Sequence, residues 1–373
     1  MKIINLKDTQ NKLFYIGGVV RDELLGIESF DVDLTYVGDA IEYAKTLENV
    51  EILRVNEPFG TVRIKVEGDE IDLASTRSEF YPKNGHLPVV CELGCELKKD
   101  VQRRDFTINA MAKSFTTGEI IDYTGGLADL GEKKLRVLHD KSFIEDPTRI
   151  LRGLKFSVRF GFELEPHTLT LQENYLENVN YDMSFKRVKK EIQETFNLNS
   201  DLAFKKFRED GIYRLISQTP PSEPKTAISP VVKKYAHLLN PQNIWLIYLA
   251  AMPDIERLLP TFDREETRII EEFWQIKNTH PQNDYEIYKM FEQKPFETVI
   301  LYGVMTDLGT ATRYLDKLKD IKLTITGKEL VDMGFKPSKK FADCFDFVLR
   351  KKISTPTLTH EDELSLARKF FCC

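Results

Sequence analysis

The sequence has few of the features that mark secreted, membrane or zinc-binding proteins. Its 373 residues include five cysteines, and Cys91 and Cys95 form a Cys-x₃-Cys without a second pair, which argues against a zinc site. No apolar run approaches the roughly 20 residues that span a bilayer. The first residues lack both the apolar core of a signal peptide and the Arg- and Ser-rich character of a transit peptide. We therefore expect a cytoplasmic protein with no membrane segment.

The sequence also lacks an excess of positive charge. Its formal net charge is −6 at pH 7, which argues against a protein that coats nucleic acid nonspecifically but leaves room for local basic patches. Hydrophobic residues make up 42% and charged residues 30%, the balance of an ordinary globular protein. A chain of 373 residues is expected to form two or three domains and to bury a sizeable core.

The first informative stretch is residues 16–34, IGGVVRDELLGIESFDVDL. A short apolar run stops at Gly17 and Gly18, which predicts a strand ending where the backbone can approach a ligand closely. The helical spacing of the residues that follow predicts a helix ending near Gly26. The N-terminus of such a helix is a natural phosphate site.

The same stretch ends on two acids, Asp31 and Asp33, in a sequence of strand character. Period-2 alternation puts both carboxylates on one face, where they repel each other unless a cation lies between them. This arrangement holds Mg²⁺ for phosphoryl or nucleotidyl transfer. A lone Asp-x-Asp is common by chance, so the order strand, Gly-Gly, helix, Asp-x-Asp carries the prediction. Asp72, on a later predicted strand, is either a third carboxylate or an acid that orients a neighbouring side chain.

A second signal is the string RRDFTINAMA at residues 103–112. Arg103, Arg104 and Asp105 precede a helix-like Phe106–Ala112. Guanidinium groups before a helix N-terminus suit triphosphate oxygens, and an aspartate there can accept hydrogen bonds from ribose hydroxyls. The alternative is a helix N-cap with a solvated basic pair.

A third signal lies in residues 144–162, where Pro147 fits the first turn of a helix with Asp146 as its cap. Asp146, Arg149, Arg152 and Lys155 recur every three residues along one face of that helix. The alternative is a surface helix with salt-bridging charges.

Taken together, these strings resemble the class II tRNA nucleotidyltransferase (CCA-adding enzyme) and bacterial poly(A) polymerase family of the polymerase-beta superfamily. GGVVRDELLG followed by DVDL resembles its first motif, RRDFTINAMA its second, Asp122–Leu130 its D-x-x-G-G-x-x-D-L pattern and Glu145–Arg149 its base-reading E-D-x-x-R. The resemblance implies that Asp31 and Asp33 hold two Mg²⁺ ions and are the catalytic residues. It also implies nucleotide binding by Gly18, Arg21, Arg103, Arg104, Asp105, Asp146, Arg149 and Arg152.

The base-reading motif has a specific physical meaning. Cytosine and adenine each present an exocyclic amine donor beside a ring-nitrogen acceptor, whereas uracil and guanine present the reverse. If Asp146 accepts from the amine and Arg149 donates to the ring nitrogen, UTP and GTP leave unpaired groups that cost on the order of 1–3 kcal/mol each. The resemblance leaves open which of Arg103 and Arg104 contacts the triphosphate. It also leaves open what Lys155 does, since many members have an arginine there.

The resemblance implies an α+β protein, with a mixed-sheet nucleotidyltransferase head followed by an all-α neck, body and tail. We place the head at residues 1–138, the neck at 139–200 and the tRNA-binding body and tail at 201–373. Residues 75–98 are rich in turn-making residues, and the family has a flexible loop in this region. Residues 183–192 resemble the family's neck helix, with a basic cluster of Lys186, Arg187, Lys189 and Lys190. Further basic clusters at Lys336, Lys339–Lys340 and Arg350–Lys352 suit a tRNA backbone.

The expected activity is template-independent addition of CMP and AMP, from CTP and ATP, to the tRNA 3′ end. The family leaves three alternatives open: a CC-adding enzyme, an A-adding enzyme and a poly(A) polymerase, against which the negative net charge argues. A different class is a catalytically inactive RNA-binding module, and the intact Asp-x-Asp argues against it. A nucleotidyltransferase acting on small molecules would need neither the E-D-x-x-R helix nor a long helical body.

Overall fold

The computed structural model describes residues 6–8, 10–29 and 32–372. The chain forms two compact units, Met1–Pro220 and Pro221–Cys373. The first unit contains a mixed β-sheet and helices, and the second is helical, so the predicted α+β class is confirmed. The finer division into head, neck, body and tail at residues 138 and 200 stays a prediction. No helix within the described ranges is both long and apolar enough to cross a membrane.

The main sheet has seven strands in the order β3-β4-β5-β2-β1-β8-β9. Its central pair, β2 and β5, is parallel, and the other neighbours are antiparallel. A separate antiparallel hairpin is formed by β6 and β7, and β10 and β11 form a short parallel pair. The strands are β1 (Leu13–Ile16), β2 (Asp33–Tyr36), β3 (Val50–Asn56), β4 (Thr61–Val66), β5 (Asp69–Ser75), β6 (Arg77–Phe80), β7 (Val89–Leu93), β8 (Met111–Ser114), β9 (Ile120–Asp122), β10 (Lys134–Leu135) and β11 (Glu163–Leu164).

Alternation along the strands decides which face of the sheet is buried. In β4, Val62, Ile64 and Val66 are buried while Arg63 and Lys65 point to solvent. Burying an aliphatic side chain of this size contributes about 1.5–3 kcal/mol, so the register is firmly set. The same alternation in β5 turns Asp72 toward the exposed face.

The helices of the first unit are α1 (Gly18–Leu24), α2 (Ala40–Lys45), α3 (Leu97–Gln102), α4 (Gly126–Glu132), α5 (Ser142–Glu145), α6 (Thr148–Phe160), α7 (Pro166–Glu177), α8 (Phe185–Leu198) and α9 (Ser200–Glu209). Helix α6 packs against α8 and α9 and buries Ile150, Leu151 and Leu154. It begins at Thr148 with Pro147 as its N-cap, so the prediction that Pro147 lies in the first turn with Asp146 as the cap is off by one residue. Asp146 Oδ1 still accepts from the Thr148 backbone N–H at 3.2 Å.

The helix-like interpretation of Phe106–Ala112 is wrong. The segment forms a single 3₁₀ turn, Thr107–Asn109, and then enters strand β8. Ala112 pairs with Ile16 of β1, so pairing inside the sheet overrides the helix propensity of this Ala- and Met-containing string. Arg103 and Arg104 therefore follow the C-terminus of α3 rather than precede a helix.

The second unit is built from α10 (Ile228–Tyr235), α11 (Ile244–Leu249), α12 (Arg264–Ile276), α13 (Asp284–Phe291), α14 (Phe296–Met305), α15 (Leu308–Arg313), α16 (Gly327–Asp332), α17 (Lys340–Ser354) and α18 (His360–Cys372). Its last three helices enclose an apolar cluster that includes Leu330, Cys344 and Val348. Lys336, Lys339 and Lys340 are exposed nearby. Contact with the phosphates of a tRNA backbone requires such exposure. Lys352 instead turns inward, and its Nζ lies 2.7 Å from the buried Glu363 carboxylate.

Candidate active site

One of the two predicted carboxylates, Asp33, lies at the N-terminal end of β2. Asp33 is the first residue of this strand and is exposed, while the next residue, Leu34, is buried. The parallel register places Asp33 directly beside Asp72 of β5, on the same face of the sheet. Asp31, the other predicted metal ligand, lies outside the described residues. We call Gly17, Gly18, Asp33 and Asp72 the carboxylate edge.

Asp72 is held by an arginine on the neighbouring strand. Arg63 Nε donates to Asp72 Oδ1 at 2.8 Å, and Arg63 Nη2 donates to Asp72 Oδ2 at 2.6 Å. This two-point contact is the orienting alternative that the sequence leaves open for Asp72. The pair remains about half exposed, with side-chain exposures of 48% and 50%.

The Gly-Gly turn leads from β1 into α1 beside this edge. Gly17 has φ +73°, and its backbone N–H donates to the Met111 carbonyl at 3.2 Å. A Cβ on Gly17 would also lie 2.9 Å from Arg104 Nη1 and would displace the end of that side chain. Helix α1 then buries the side chains of Val19 and Val20. The turn therefore brings the Arg104 guanidinium against the start of α1.

The two arginines that the sequence could not separate occupy different surroundings. Arg103 donates to Asp100 from both Nε and Nη2, and its Nη1 approaches Glu79 at 3.4 Å. Arg104 makes one contact with Asp100 at 3.2 Å, its Nη1 faces Gly17, and its buried Nε has no hydrogen-bond partner within the described part of the chain. Burial opposes ionisation of Asp100, but these two guanidinium groups outweigh it and lower its pKa. Arg104 is the arginine that faces the Gly-Gly turn.

Arg21 is buried rather than presented to solvent. Its Nε and Nη2 donate to Asp22 Oδ1 at 2.8 and 2.7 Å, and its Nη1 donates to Asn109 Oδ1 at 2.6 Å. Its guanidinium also lies over the rings of Phe156 and Phe160 in α6. Burial lowers the Arg21 pKa, and the Asp22 carboxylate opposes that shift. The phosphate contact predicted for Arg21 stays a prediction, while the observed contacts tie α1 to α6.

Asp105 is the buried end of a series of ion pairs that joins α6 to α8, in which Arg152 is 34% exposed. Its Oδ2 accepts from Arg152 Nε at 2.6 Å, and Arg152 Nη1 reaches Glu191 at 3.5 Å. Lys155 donates to Glu191 at 2.6 Å and to Glu194 at 2.8 Å. Burial opposes ionisation of Asp105, but Arg152, with hydrogen bonds from Asn109 and Phe106, lowers its pKa well below its ordinary range. Asp105 in turn raises the Arg152 pKa.

The base-reading pair of the sequence analysis lies at the start of α6. Asp146 Oδ2 faces Arg187 of α8 at 2.5 Å, and Asp146 Oδ1 accepts from Thr148. Arg187, grouped by sequence with a basic cluster, is therefore part of this site. We call Asp105, Asp146, Arg152, Arg187 and Glu191 the charge network.

Arg149 is buried at 4% exposure. It donates to Ser142 Oγ at 2.7 Å, to the Arg103 carbonyl at 3.0 Å and to Tyr81 OH at 3.4 Å. Among the described residues these contacts use three of its five N–H groups. Asp146 likewise keeps one of its roughly four acceptor positions, on Oδ2. One acceptor position and two N–H donors thus remain, and pairing with adenine or cytosine needs one acceptor and at least one donor.

The turn-rich segment before α3 is ordered against this site. It forms the β6–β7 hairpin, whose loop contacts the chain on both sides of α6. Gly85 N–H donates to the Glu145 carbonyl at 2.9 Å, and the Gly85 carbonyl accepts from Ser184 N–H at 3.0 Å. Gly85 has φ +79°, and a Cβ there would lie 2.8 Å from Met183 Cβ. Asn84-Gly85 is a turn signal in the sequence, but nothing in the sequence indicates what the turn touches.

The carboxylate edge is suited in its chemistry to a hard divalent cation. Mg²⁺ prefers oxygen ligands and is commonly bound by one or two carboxylates, with water and substrate phosphates completing its shell. Within the described residues, no three acid, histidine or cysteine side chains converge on one point. Asp33 supplies one such carboxylate in the described part of the chain, and the metal site that it would form with Asp31 stays a prediction.

Known proteins are similar to this chain both in its N-terminal head and along most of its length. The poly(A) polymerase head domain matches residues 13–136. The A-adding tRNA nucleotidyltransferase of Halalkalibacterium halodurans is 30% identical over 96% of this chain and 88% of that protein. The A-adding enzyme of Aquifex aeolicus is 33% identical over 84% of this chain, which spans 41% of that longer protein.

Two solved structures extend the likeness through both units. A CCA-adding enzyme in complex with ATP has a TM-score of 0.74 at 25% identity, covering 97% of this chain and 90% of that one. The Thermotoga maritima CCA-adding enzyme complexed with tRNA has a TM-score of 0.71 at 25% identity, covering 97% of this chain and 91% of that one. The match of motifs, the head domain and a relative similar along nearly its whole length lead to one conclusion: this chain belongs to the tRNA nucleotidyltransferase family.

Proposed function

We propose that this protein adds nucleotides to the 3′ end of tRNA without a nucleic-acid template, by nucleotidyl transfer from ATP and CTP. The observation that carries the proposal is the combination of a strand-end carboxylate, Asp33, with a Gly-Gly turn and an arginine facing it. The charge network on α6 and α8 supplies the second part, a site for the base and ribose. Membership of the tRNA nucleotidyltransferase family supports both parts.

Each predicted residue has a proposed task. Asp31 and Asp33 would hold the Mg²⁺ ions, which when bound would lower the pKa of the tRNA 3′-hydroxyl and offset charge developing on the α-phosphate. Gly18 and Arg104 contact phosphate, the latter because its guanidinium faces the turn. Arg103, held by Asp100 and Glu79, shapes that surface.

Asp146 and Arg149 read the base. The remaining acceptor on Asp146 takes the exocyclic amine of adenine or cytosine, and a remaining N–H of Arg149 donates to the ring nitrogen. Asp105 accepts from a ribose hydroxyl, beside Arg152. Lys155 is bound to two glutamates of α8, so we assign it to packing between α6 and α8 rather than to substrate.

CCA addition and A addition both include AMP transfer to a tRNA ending in CC, and they differ in whether CMP is also transferred. Two observations favour different answers for CMP transfer. Relatives similar over most of this chain are named A-adding enzymes. Solved structures of similar fold are named CCA-adding enzymes, one of them with CTP. Full CCA addition remains our first proposal, and A addition is the second candidate.

The test uses purified protein, Mg²⁺ and three tRNA transcripts, ending at the discriminator base, at C and at CC. Each is incubated with CTP, ATP or both, and the products are sized at single-nucleotide resolution. Extension of all three to CCA supports the first proposal, and a single A on the CC transcript alone supports the second. Products stopping at CC indicate a CC-adding enzyme, and a long A ladder indicates a poly(A) polymerase. No extension of any transcript would overturn the proposal.

A further inference from the structure

Asn109 is a buried polar residue to which the proposed mechanism gives no task. It is 5% exposed and ends the 3₁₀ turn that follows Asp105. Its side-chain amide makes two contacts in opposite directions. Asn109 Nδ2 donates to Asp105 Oδ1 at 3.0 Å, and Asn109 Oδ1 accepts from Arg21 Nη1 at 2.6 Å. The amide therefore joins a buried arginine of α1 to the aspartate proposed to meet the ribose.

Arg21 fixes the direction in which this amide points. A guanidinium donates and never accepts, so it can bond the amide only through the amide oxygen. The amide nitrogen must then face Asp105, and a flipped amide would set oxygen against a carboxylate. Arg21 cannot follow such a flip, because two of its nitrogens are bonded to Asp22 and its guanidinium lies over two aromatic rings at 5.1 and 4.7 Å.

The contacts of Asp105 show which oxygen is left for a substrate. Oδ1 accepts from Asn109 Nδ2 and from the Phe106 backbone N–H at 2.8 Å. Oδ2 accepts from Arg152 Nε at 2.6 Å. An ionised carboxylate offers about four acceptor positions, so among the described residues the remaining one is on Oδ2. Without the Asn109 amide the carboxylate can turn about its Cβ–Cγ bond, and that open position moves.

We propose that Arg21 and Asn109 are positioning residues for ribose recognition. Arg21 orients the Asn109 amide, and Asn109 holds Asp105 so that Oδ2 faces the 2′-hydroxyl of the bound nucleoside triphosphate. The inference rests on the proposed function, in which Asp105 accepts from the ribose. It gives Arg21 a task in sugar selection that is separate from the phosphate contact predicted from the sequence.

The test is the substitution Asn109→Asp, which keeps the size of the side chain and an acceptor for Arg21 but replaces the donor to Asp105 with a carboxylate oxygen that repels it. Transfer of AMP and of 2′-dAMP to a tRNA ending in CC is measured as kcat/KM with ATP and with dATP. The expected result is a roughly tenfold fall in the preference for ATP over dATP, the size of one lost hydrogen bond to a charged group. The fall arises from weaker use of ATP, with dATP much less affected.

Two further variants separate positioning from a general structural role. Arg21→Lys loses the planar guanidinium that holds Asp22 and Asn109 in a fixed geometry, so it should lower the same preference by a smaller factor. Thr107→Val is the matched control: Thr107 is buried in the same turn and donates to Asp129 at 2.7 Å, not to Asp105. It should reduce the use of ATP and dATP equally, if at all.

Asp105→Asn decides what a negative result means. If it lowers the ATP preference while Asn109→Asp leaves it unchanged, the positioning role is overturned and the ribose role of Asp105 stands. If neither changes the preference, the ribose role fails and the inference fails with it. Should Asn109→Asp not fold, Arg21→Lys in the same assay replaces it, and an unchanged preference there overturns the proposal.

Discussion

The carboxylate edge and the charge network hold their charged groups in opposite ways. At the edge, the Arg63–Asp72 pair is about half exposed and joins adjacent strands. In the network, the Asp105 side chain is 8% exposed and its partner Arg152 comes from a helix 47 residues later. An exposed pair contributes at most about 1 kcal/mol, whereas breaking a buried one costs about 3–5 kcal/mol. At the edge, Asp33 should therefore tolerate substitution in stability but not in activity, and Asp72 should tolerate it in both, whereas the network should tolerate it in neither.

The largest effect is expected from Asp33→Ala. Loss of a proposed metal ligand should reduce AMP transfer by roughly a thousandfold or more, since a metal supplies several kcal/mol to the transition state. The side chain is exposed, so the melting temperature should stay within about 2 °C of the parent protein. Glu51→Ala, which removes another exposed acid of the same sheet, is the control and should leave activity intact. Full activity of Asp33→Ala would remove the carboxylate edge from the mechanism.

Asp105→Asn tests the charge network and, unlike Asp33→Ala at the carboxylate edge, should lower the stability of the protein. The substitution leaves the Arg152 guanidinium facing a neutral amide, at an expected cost of about 3 kcal/mol in the free energy of unfolding at pH 7. Both tryptophans lie in the second unit, so hydrogen exchange in α6 or circular dichroism is a better probe than tryptophan fluorescence. An unchanged free energy of unfolding would contradict the importance of this pair.

The same variant predicts a pH dependence. The Asp105 pKa is lowered in the folded protein, because Arg152 and its hydrogen-bond donors outweigh the effect of burial. The stability it contributes is therefore present above the ordinary aspartate pKa of about 3.9 and is lost as pH falls below it. The difference between parent and Asp105→Asn should be largest near neutral pH and shrink below about pH 4. A difference that grows on acidification would contradict the lowered pKa.

Arg149→Ala tests base selectivity beside the charge network. Without this guanidinium the site no longer donates to the ring nitrogen, so discrimination of ATP against UTP should fall roughly tenfold to a hundredfold. The measurement is kcat/KM for each nucleotide on a tRNA ending in CC. Arg159→Ala, on the same helix but directed at Asp22, is the matched control and should preserve discrimination. Unchanged discrimination in Arg149→Ala would end the base-reading role.

The sequence predicts local features of this fold better than features that depend on tertiary contacts. Local patterns predict β1, α1 and the presence of α6, because each depends on residues within a few positions of one another. They fail at residues 106–112, where pairing with β1 decides the structure, and at the β6–β7 hairpin, whose loop is ordered by contacts with Glu145 and Ser184.

In the candidate site, the sequence identifies individual residues but not the partners that they contact. The motifs present Arg152 and Asp105 as separate features, and only the fold joins them. Asn109 lies inside a recognised motif, yet its partner Arg21 is 88 residues away, and Glu191 is 36 residues from Lys155. In the sequence, Arg187 is indistinguishable from the other basic residues of its predicted helix. Partners of this kind follow from tertiary packing, and neither spacing nor composition indicates them.

The smallest effects are expected at Asp72, whose exposed ion pair contrasts with the ion pair of the buried Asp105. Both Asp72 oxygens are bonded to Arg63, so Asp72→Ala should cost less than about 1 kcal/mol in stability and change transfer by less than about fivefold. Arg63→Ala is the companion variant, because it leaves the Asp72 carboxylate in place without its partner. If Asp72 only orients Arg63, the two variants should behave alike in kcat and in the Mg²⁺ concentration for half-maximal activity. A large loss in Asp72→Ala, combined with little change in Arg63→Ala, would instead make Asp72 a third carboxylate of the metal site.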